Sequence, residues 1–202
     1  MSTVIRYFYN HSSPWSYFGH NRFLELAAEH GAEVVFRPCE SHIIFAQSGG
    51  LPVAKRAPQR QAYRIAELKR WGEYLGLPMV IESAHEPPPM DWANRLAIAA
   101  GEEGEAGDMG KLSAALFAAR WVEDRDLSDP DGMIAVAGEA GFDGKALWEA
   151  SRGDEIGALY DAYTKEAMDA NVFGAPSYIL DGELYWGQDR LDFLARALER
   201  WG

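Results

Sequence analysis

Ser13-Pro14-Trp15-Ser16 sets two hydroxyls at S-x-x-S spacing, with a proline just inside the start of an amphipathic, helix-like segment that reaches to about His30. The strand-like run Val4-Ile5-Arg6-Tyr7-Phe8-Tyr9 stands ahead of it. A helix start presents unpaired N–H groups and the positive end of the helix dipole, so it stabilises an anion, a sulfur anion among them. Two cysteines at this spacing would make a redox dithiol. Serine supplies no sulfur, so a thiolate used here has to arrive on a visiting molecule. Without a visitor, the same residues read as a serine N-cap before a proline at the first helical position, a common local arrangement.

Two later segments carry compatible chemistry. Asn171-Val172-Phe173-Gly174-Ala175-Pro176-Ser177 ends in a proline just ahead of an apolar run. A cis Ala175–Pro176 bond would turn the Ala175 N–H and C=O outward, ready to pair with a peptide-like ligand, whereas a trans bond would only start an edge strand. Gly187-Gln188-Asp189-Arg190 opens the last helical segment. Asp189 reads there as an N-terminal cap, and it could also hold a ligand ammonium while Arg190 holds a carboxylate.

The elements that must position these residues follow from the pattern. Strand signals lie at the two ends: Val4 to Tyr9, Val34 to Arg37 ended by Pro38, Ser177 to Leu180, and Leu184 to Trp186. Asp181-Gly182 between the last two predicts a hairpin. Leu191, Leu194, Leu198 and Trp201 recur at helical spacing. About 140 residues between the second and third strands read as helical, with Ile65, Leu68, Trp71 and Leu75 closed by Gly76-Leu77-Pro78, then Trp92 to Ala100, Met109 to Glu123, Asp131 to Ala140 and Lys145 to Ala170. Pro87-Pro88-Pro89 reads as an ordered loop. The order predicts an α/β protein of thioredoxin-like β-α-β…β-β-α type with a large all-helical insertion between the second and third strands, its first unit right-handed and parallel. Residues 1–40 and 171–202 would form the thioredoxin-like domain and residues 41–170 the inserted helical domain.

Bulk composition narrows the function classes. The 202 residues are 48% hydrophobic, enough for a sizeable core, and carry a net charge of -12. Nucleic-acid binding is disfavoured, because it needs a concentrated positive face. The sole cysteine, Cys39, forbids an internal disulfide, argues for a reducing compartment and reads as a buried small apolar residue. No signal-peptide pattern and no apolar run of about 20 residues are present, which points to a cytoplasmic protein without a membrane partner.

The motifs together resemble the 2-hydroxychromene-2-carboxylate isomerases, related to the kappa-class glutathione transferases and the DsbA-like oxidoreductases. Ser12-Ser13-Pro14-Trp15-Ser16-Tyr17, Val172-Phe173-Gly174-Ala175-Pro176 and Trp186-Gly187-Gln188-Asp189-Arg190-Leu191 carry the resemblance, with fainter matches at Tyr63, Glu67-Leu68-Lys69-Arg70-Trp71 and Arg125-Asp126-Leu127-Ser128-Asp129. It implies glutathione as cofactor, with Ser13 donating a hydrogen bond to its sulfur and Ala175, before Pro176, pairing with its backbone. Asp189 would meet its ammonium, with Gln188 and Arg190 beside it. Arg60 stands where such relatives have lysine, and Leu51 where they often have asparagine. The implied reaction is a thiolate-assisted cis-trans isomerisation of a small aromatic carboxylate, and the implied assembly a homodimer. A kappa-like glutathione transferase and a cysteine-less binding module are the alternatives. A flat aromatic acid would suit a pocket containing Trp15, Tyr17, Phe45 or Trp92 with an arginine nearby.

Other residue types point away from chemistry. His11, His20, His30, His42 and His85 lack metal-ligand spacing and read as surface or packing residues, with His11 the exception because it adjoins the serine motif. Asp126, Asp129, Asp131 and Gly132 fail the spacing of a calcium loop and read as a solvated helix start. No metal is expected. No G-x-S-x-G elbow occurs, which disfavours a serine hydrolase.

Overall fold

In the computed structural model, residues 3–85, 91–105 and 108–201 are described; the Pro87-Pro88-Pro89 loop lies outside them. The first strand, β1 (Val4–Tyr9), leads through Ser13 into α1 (Pro14–Glu29), and the chain returns as β2 (Glu33–Pro38) parallel to β1. β3 (Ser177–Leu180) runs antiparallel to β1 on its other side, and β4 (Glu183–Trp186) closes the hairpin at the sheet edge. The strand order is β2-β1-β3-β4. Asp181 and Gly182 both adopt positive φ, 50° and 83°, as the tight hairpin turn requires. α9 (Leu191–Trp201) follows and buries Leu191, Leu194 and Leu198 against the sheet.

The helices between β2 and β3 are α2 (Ser41–Gln47), α3 (Pro58–Leu75), α4 (Asp91–Glu103), α5 (Asp108–Trp121), α6 (Pro130–Glu139), α7 (Gly144–Ser151) and α8 (Asp154–Asp169). The thioredoxin-like order with a helical insertion thus stands as read from the sequence. Three local readings change. Lys145 to Ala170 is two helices, because the chain turns at Arg152-Gly153, where Gly153 adopts extended backbone and opens α8. α2 is an element the periodicity did not reveal. The last helix is preceded by a short 3₁₀ turn, Gln188–Arg190.

Two apolar cores sit side by side. Ile5, Tyr7, Phe23, Tyr178 and Leu194 fill the space between the sheet, α1 and α9, joined by Phe117 and Trp121 of α5. Leu96, Leu112, Leu116, Val136 and Leu147 knit the inserted helices together, and half-buried Phe36 of β2 touches both clusters. α5 therefore anchors the inserted helices against the sheet from which the serine turn projects.

Candidate active site

Asn10 shapes the turn that presents the serine motif. Its side-chain oxygen accepts from the Ser12 N–H at 2.8 Å and the Ser12 hydroxyl at 2.6 Å, and its amide donates to the Cys39 carbonyl at 2.7 Å. Ser13 then caps α1 in extended backbone, accepting from the Ser16 N–H at 3.1 Å, with Pro14 at the first helical position. The Ser13 hydroxyl donates its proton to the Ala175 carbonyl at 3.1 Å, so two segments 162 residues apart meet here. The Ala175–Pro176 bond is cis. Gly187 N–H donates to the Pro176 carbonyl at 2.9 Å, drawing the third segment to the same place. The cap reading of Ser13 and its meeting with Ala175 hold together: one hydroxyl does both.

These loops form one wall of a cavity of about 880 Å³, and α2, α3 and the residues between them form the other. Ser13, Arg60, Ala175, Gln188, Asp189 and Arg190 all line it, while Pro176 is buried behind Ala175. The two serines of the motif do not converge. Ser16 is fully buried and its hydroxyl has no partner among the described residues, so Ser13 alone serves the cavity.

Several side chains differ from their sequence reading. Asp189 does not cap α9; it lies inside the 3₁₀ turn and pairs with Arg190 at 2.7 Å. Gln188 is buried and its side-chain oxygen accepts from Arg22 at 2.6 Å, which ties that oxygen to α1 while the residue still lines the cavity. Trp15 and Phe45 line the cavity, but Tyr17 and Trp92 are not among its lining residues. The Tyr17 hydroxyl donates to the Pro78 carbonyl, and Trp92 packs on Trp148 in the helical core. Leu51 is half exposed and absent from the lining, although its carbonyl accepts from Arg56 at 2.8 Å.

Burial separates His11 and His20 from the cavity; of the five histidines, His42 alone lines it. His11 and His20 are buried; desolvation pulls His11 down to about 3 and His20 to about 4, so both are neutral at physiological pH. His11 does not become a base for Ser13: its Nδ1–H donates to Asn94 at 2.7 Å and its ring packs on Phe117. His30, His42 and His85 are exposed. Asp129 caps α6 as a helix start, and no group of three or more His, Cys, Asp or Glu able to hold a metal occurs among the described residues.

Sequence reading passed over Arg56 and Arg64, which line the cavity alongside Arg60. Burial and then a neighbouring cation lower both: Arg60 acts on Arg56, and Arg56 on Arg64. For Arg64 the spacing of four from Arg60 was the available signal, since residues four apart share a helix face; Arg56 precedes the helix in extended backbone and gave no such signal. The cavity can therefore hold an anion beside the α1 start and further negative charge along α3.

The DsbA-like thioredoxin domain family matches residues 4–199. The chain belongs to this family. The chain is similar to the 2-hydroxychromene-2-carboxylate isomerase of Sphingobium xenophagum, with 26% identity over 96% of this chain and 97% of that one. The fold matches the solved structure of a 2-hydroxychromene-2-carboxylate isomerase with a TM-score of 0.86, at 23% identity over 98% of this chain and 95% of the other. It also matches the cytosolic disulfide reductase DsbM from Pseudomonas aeruginosa solved with GSH, with a TM-score of 0.70, at 19% identity over 98% of each chain. Among the described residues no helix is long and apolar enough to cross a membrane.

Proposed function

We propose that this DsbA-like protein is a glutathione-dependent cis-trans isomerase of 2-hydroxychromene-2-carboxylate-type aromatic acids, yielding trans-o-hydroxybenzylidenepyruvate-type products. The observation that carries the reading is the meeting of Ser13, at the start of α1, with Ala175 on the wall of a large cavity. Relatives named for this isomerisation, similar over nearly their whole length, support the same reading.

The residues fit glutathione. Among the described residues nothing accepts from the Ala175 N–H, which leaves it for a peptide-like ligand. Asp189 and Arg190, close together and part-exposed in the same cavity, offer both signs of charge to an amino-acid end. Arg60 supplies a cation for a carboxylate from the opposite wall. When bound, glutathione would supply a thiolate: its addition to the conjugated carbon, with the ring C–O bond opening to the phenol, would leave a single bond free to rotate, and its expulsion would restore the double bond.

The chain's own residues hold and orient. The α1 start lowers the energy of negative charge near Ser13. The Ser13 hydroxyl, still accepting from Ser16, turns its proton from the Ala175 carbonyl to that charge, as a donor and not a nucleophile, since neither buried histidine bonds to it. Trp15 and Phe45 give a flat acid apolar surface.

The test is incubation of the pure protein with glutathione and 2-hydroxychromene-2-carboxylate, followed by ultraviolet absorbance. Isomer conversion that needs glutathione supports the reading. Turnover of an aryl halide alone would instead make the protein a kappa-like transferase, and absence of glutathione binding by calorimetry would make it a binding module.

A further inference from the structure

The α3 side of the cavity carries more positive charge than a tripeptide thiol uses. Arg60 and Arg64 lie one turn apart on α3, and Arg56 stands just ahead of that helix in extended backbone. All three line the cavity, in a chain whose net charge is -12. The two carboxylates that share the lining with them are engaged elsewhere: Glu67 pairs with Arg70 at 2.6 Å and Asp189 with Arg190 at 2.7 Å. Among the described residues, none of the three arginines has a carboxylate within ion-pair distance. Arg56 and Arg64 are half-buried and each is opposed by a neighbouring cation. Placing like charges together out of water is unfavourable, so an anion that joins them removes repulsion as well as adding hydrogen bonds.

The surroundings say what kind of anion. Phe45 lies under the Arg56 guanidinium at 6.0 Å, and Trp15, Tyr63 and Trp71 complete an aromatic lining. Arg60 and the Asp189–Arg190 pair suffice for the charged ends of a tripeptide, which leaves Arg56 and Arg64 over. We infer that Arg64, assisted by Arg56, grips the carboxylate of the flat aromatic acceptor and makes the site select anionic acceptors over neutral ones of the same shape. This rests on the proposed reading of the cavity. A planar guanidinium pairs a carboxylate through two parallel N–H···O bonds, which fixes the ring's orientation as well as its position. A neutral analogue leaves the two cations unrelieved, and the site rejects it for that reason.

Calorimetric titration of the full-length protein with trans-cinnamate and trans-cinnamamide, with no thiol present, tests this directly. Cinnamate should bind at least about tenfold more tightly than the amide, the size of a charge-assisted hydrogen bond. Arg64→Ala should erase that preference while leaving glutathione affinity and the helical circular dichroism unchanged, and Arg64→Lys should restore part of it. Equal binding of acid and amide to the unaltered protein, or an undiminished preference in Arg64→Ala, would overturn the inference. If glutathione fails to bind while the Arg64-dependent preference persists, the thiol reading falls and the carboxylate grip stands.

Discussion

The residues packed beneath the serine turn and those facing the cavity are opposite in behaviour. Tyr7, Tyr9, His11 and His20 form a dry stack in which Tyr7 and Tyr9 lie 4.5 Å apart. Most of their polar atoms are used up internally: Tyr9 bonds Ser113 at 2.7 Å, His20 Nε2–H donates to the Gly110 carbonyl at 2.9 Å, and the Tyr7 hydroxyl lies 3.3 Å from His20 Nδ1, while the buried His11 Nε2 has no partner among the described residues. Across the turn, Ser13, Arg60 and the Asp189–Arg190 pair face an open cavity. The sequence left only His11 open as a chemical group among the histidines. Burial places it with His20 as packing, because a group sealed from ligand and solvent and held neutral does no chemistry.

Perturbing each side should therefore move different observables. The largest expected effect lies in the stack: Phe23, against Tyr7 and Tyr178 at 4.7 and 4.6 Å, when changed to Ala should cost about 3–5 kcal/mol of stability, read from denaturant midpoints. A loss below 1 kcal/mol would mean that this core collapses around the gap.

Acid should act next, again on the stack. The folded pKa values of His11 and His20, about 3 and about 4, lie below the ordinary 6.5. Between those limits the unfolded chain binds more protons than the folded one, so stability falls as pH drops. From pH 7 to pH 5 each histidine should remove roughly 2 kcal/mol. Denaturant midpoints that do not move across this range would show that the two rings titrate freely.

On the cavity side, Ser13→Ala should raise the pKa of bound glutathione and slow turnover on the order of 100-fold, as when one preorganised donor is removed, while the lost α1 cap costs about 1 kcal/mol of stability. Thiolate absorbance against pH reads the first effect, and an unchanged curve would sink the role given to Ser13. The smallest expected change is Arg60→Ala, about tenfold weaker glutathione binding. An equal weakening by Arg60→Lys would point to shape rather than charge.

The legible parts of the fold were those written in local chemistry. A serine before a proline announced the start of α1, Asp-Gly announced the hairpin, and the leucines of α9 announced their buried face. Segment order then brought Ser13, Ala175 and Asp189 to one cavity. Less legible was whatever depends on how elements meet. The seven residues of α2 are too few to show a period, yet they supply Phe45 to the far wall. Arginines four residues apart on a helix look like a solvated face until another wall closes over them. Asp189 resembled a cap by position, but a 3₁₀ turn moved it out of reach and gave it to Arg190.

Cys39 sits at the end of β2, fully buried, with its thiol donating to the Tyr9 carbonyl and pushed far up in pKa by burial. Thiolate is the form that alkylating reagents attack, so the native chain offers them no target. The only sulfhydryl of the protein is consequently a clock: it should react with a maleimide only while β1 and β2 are apart, at a rate that counts openings of the sheet.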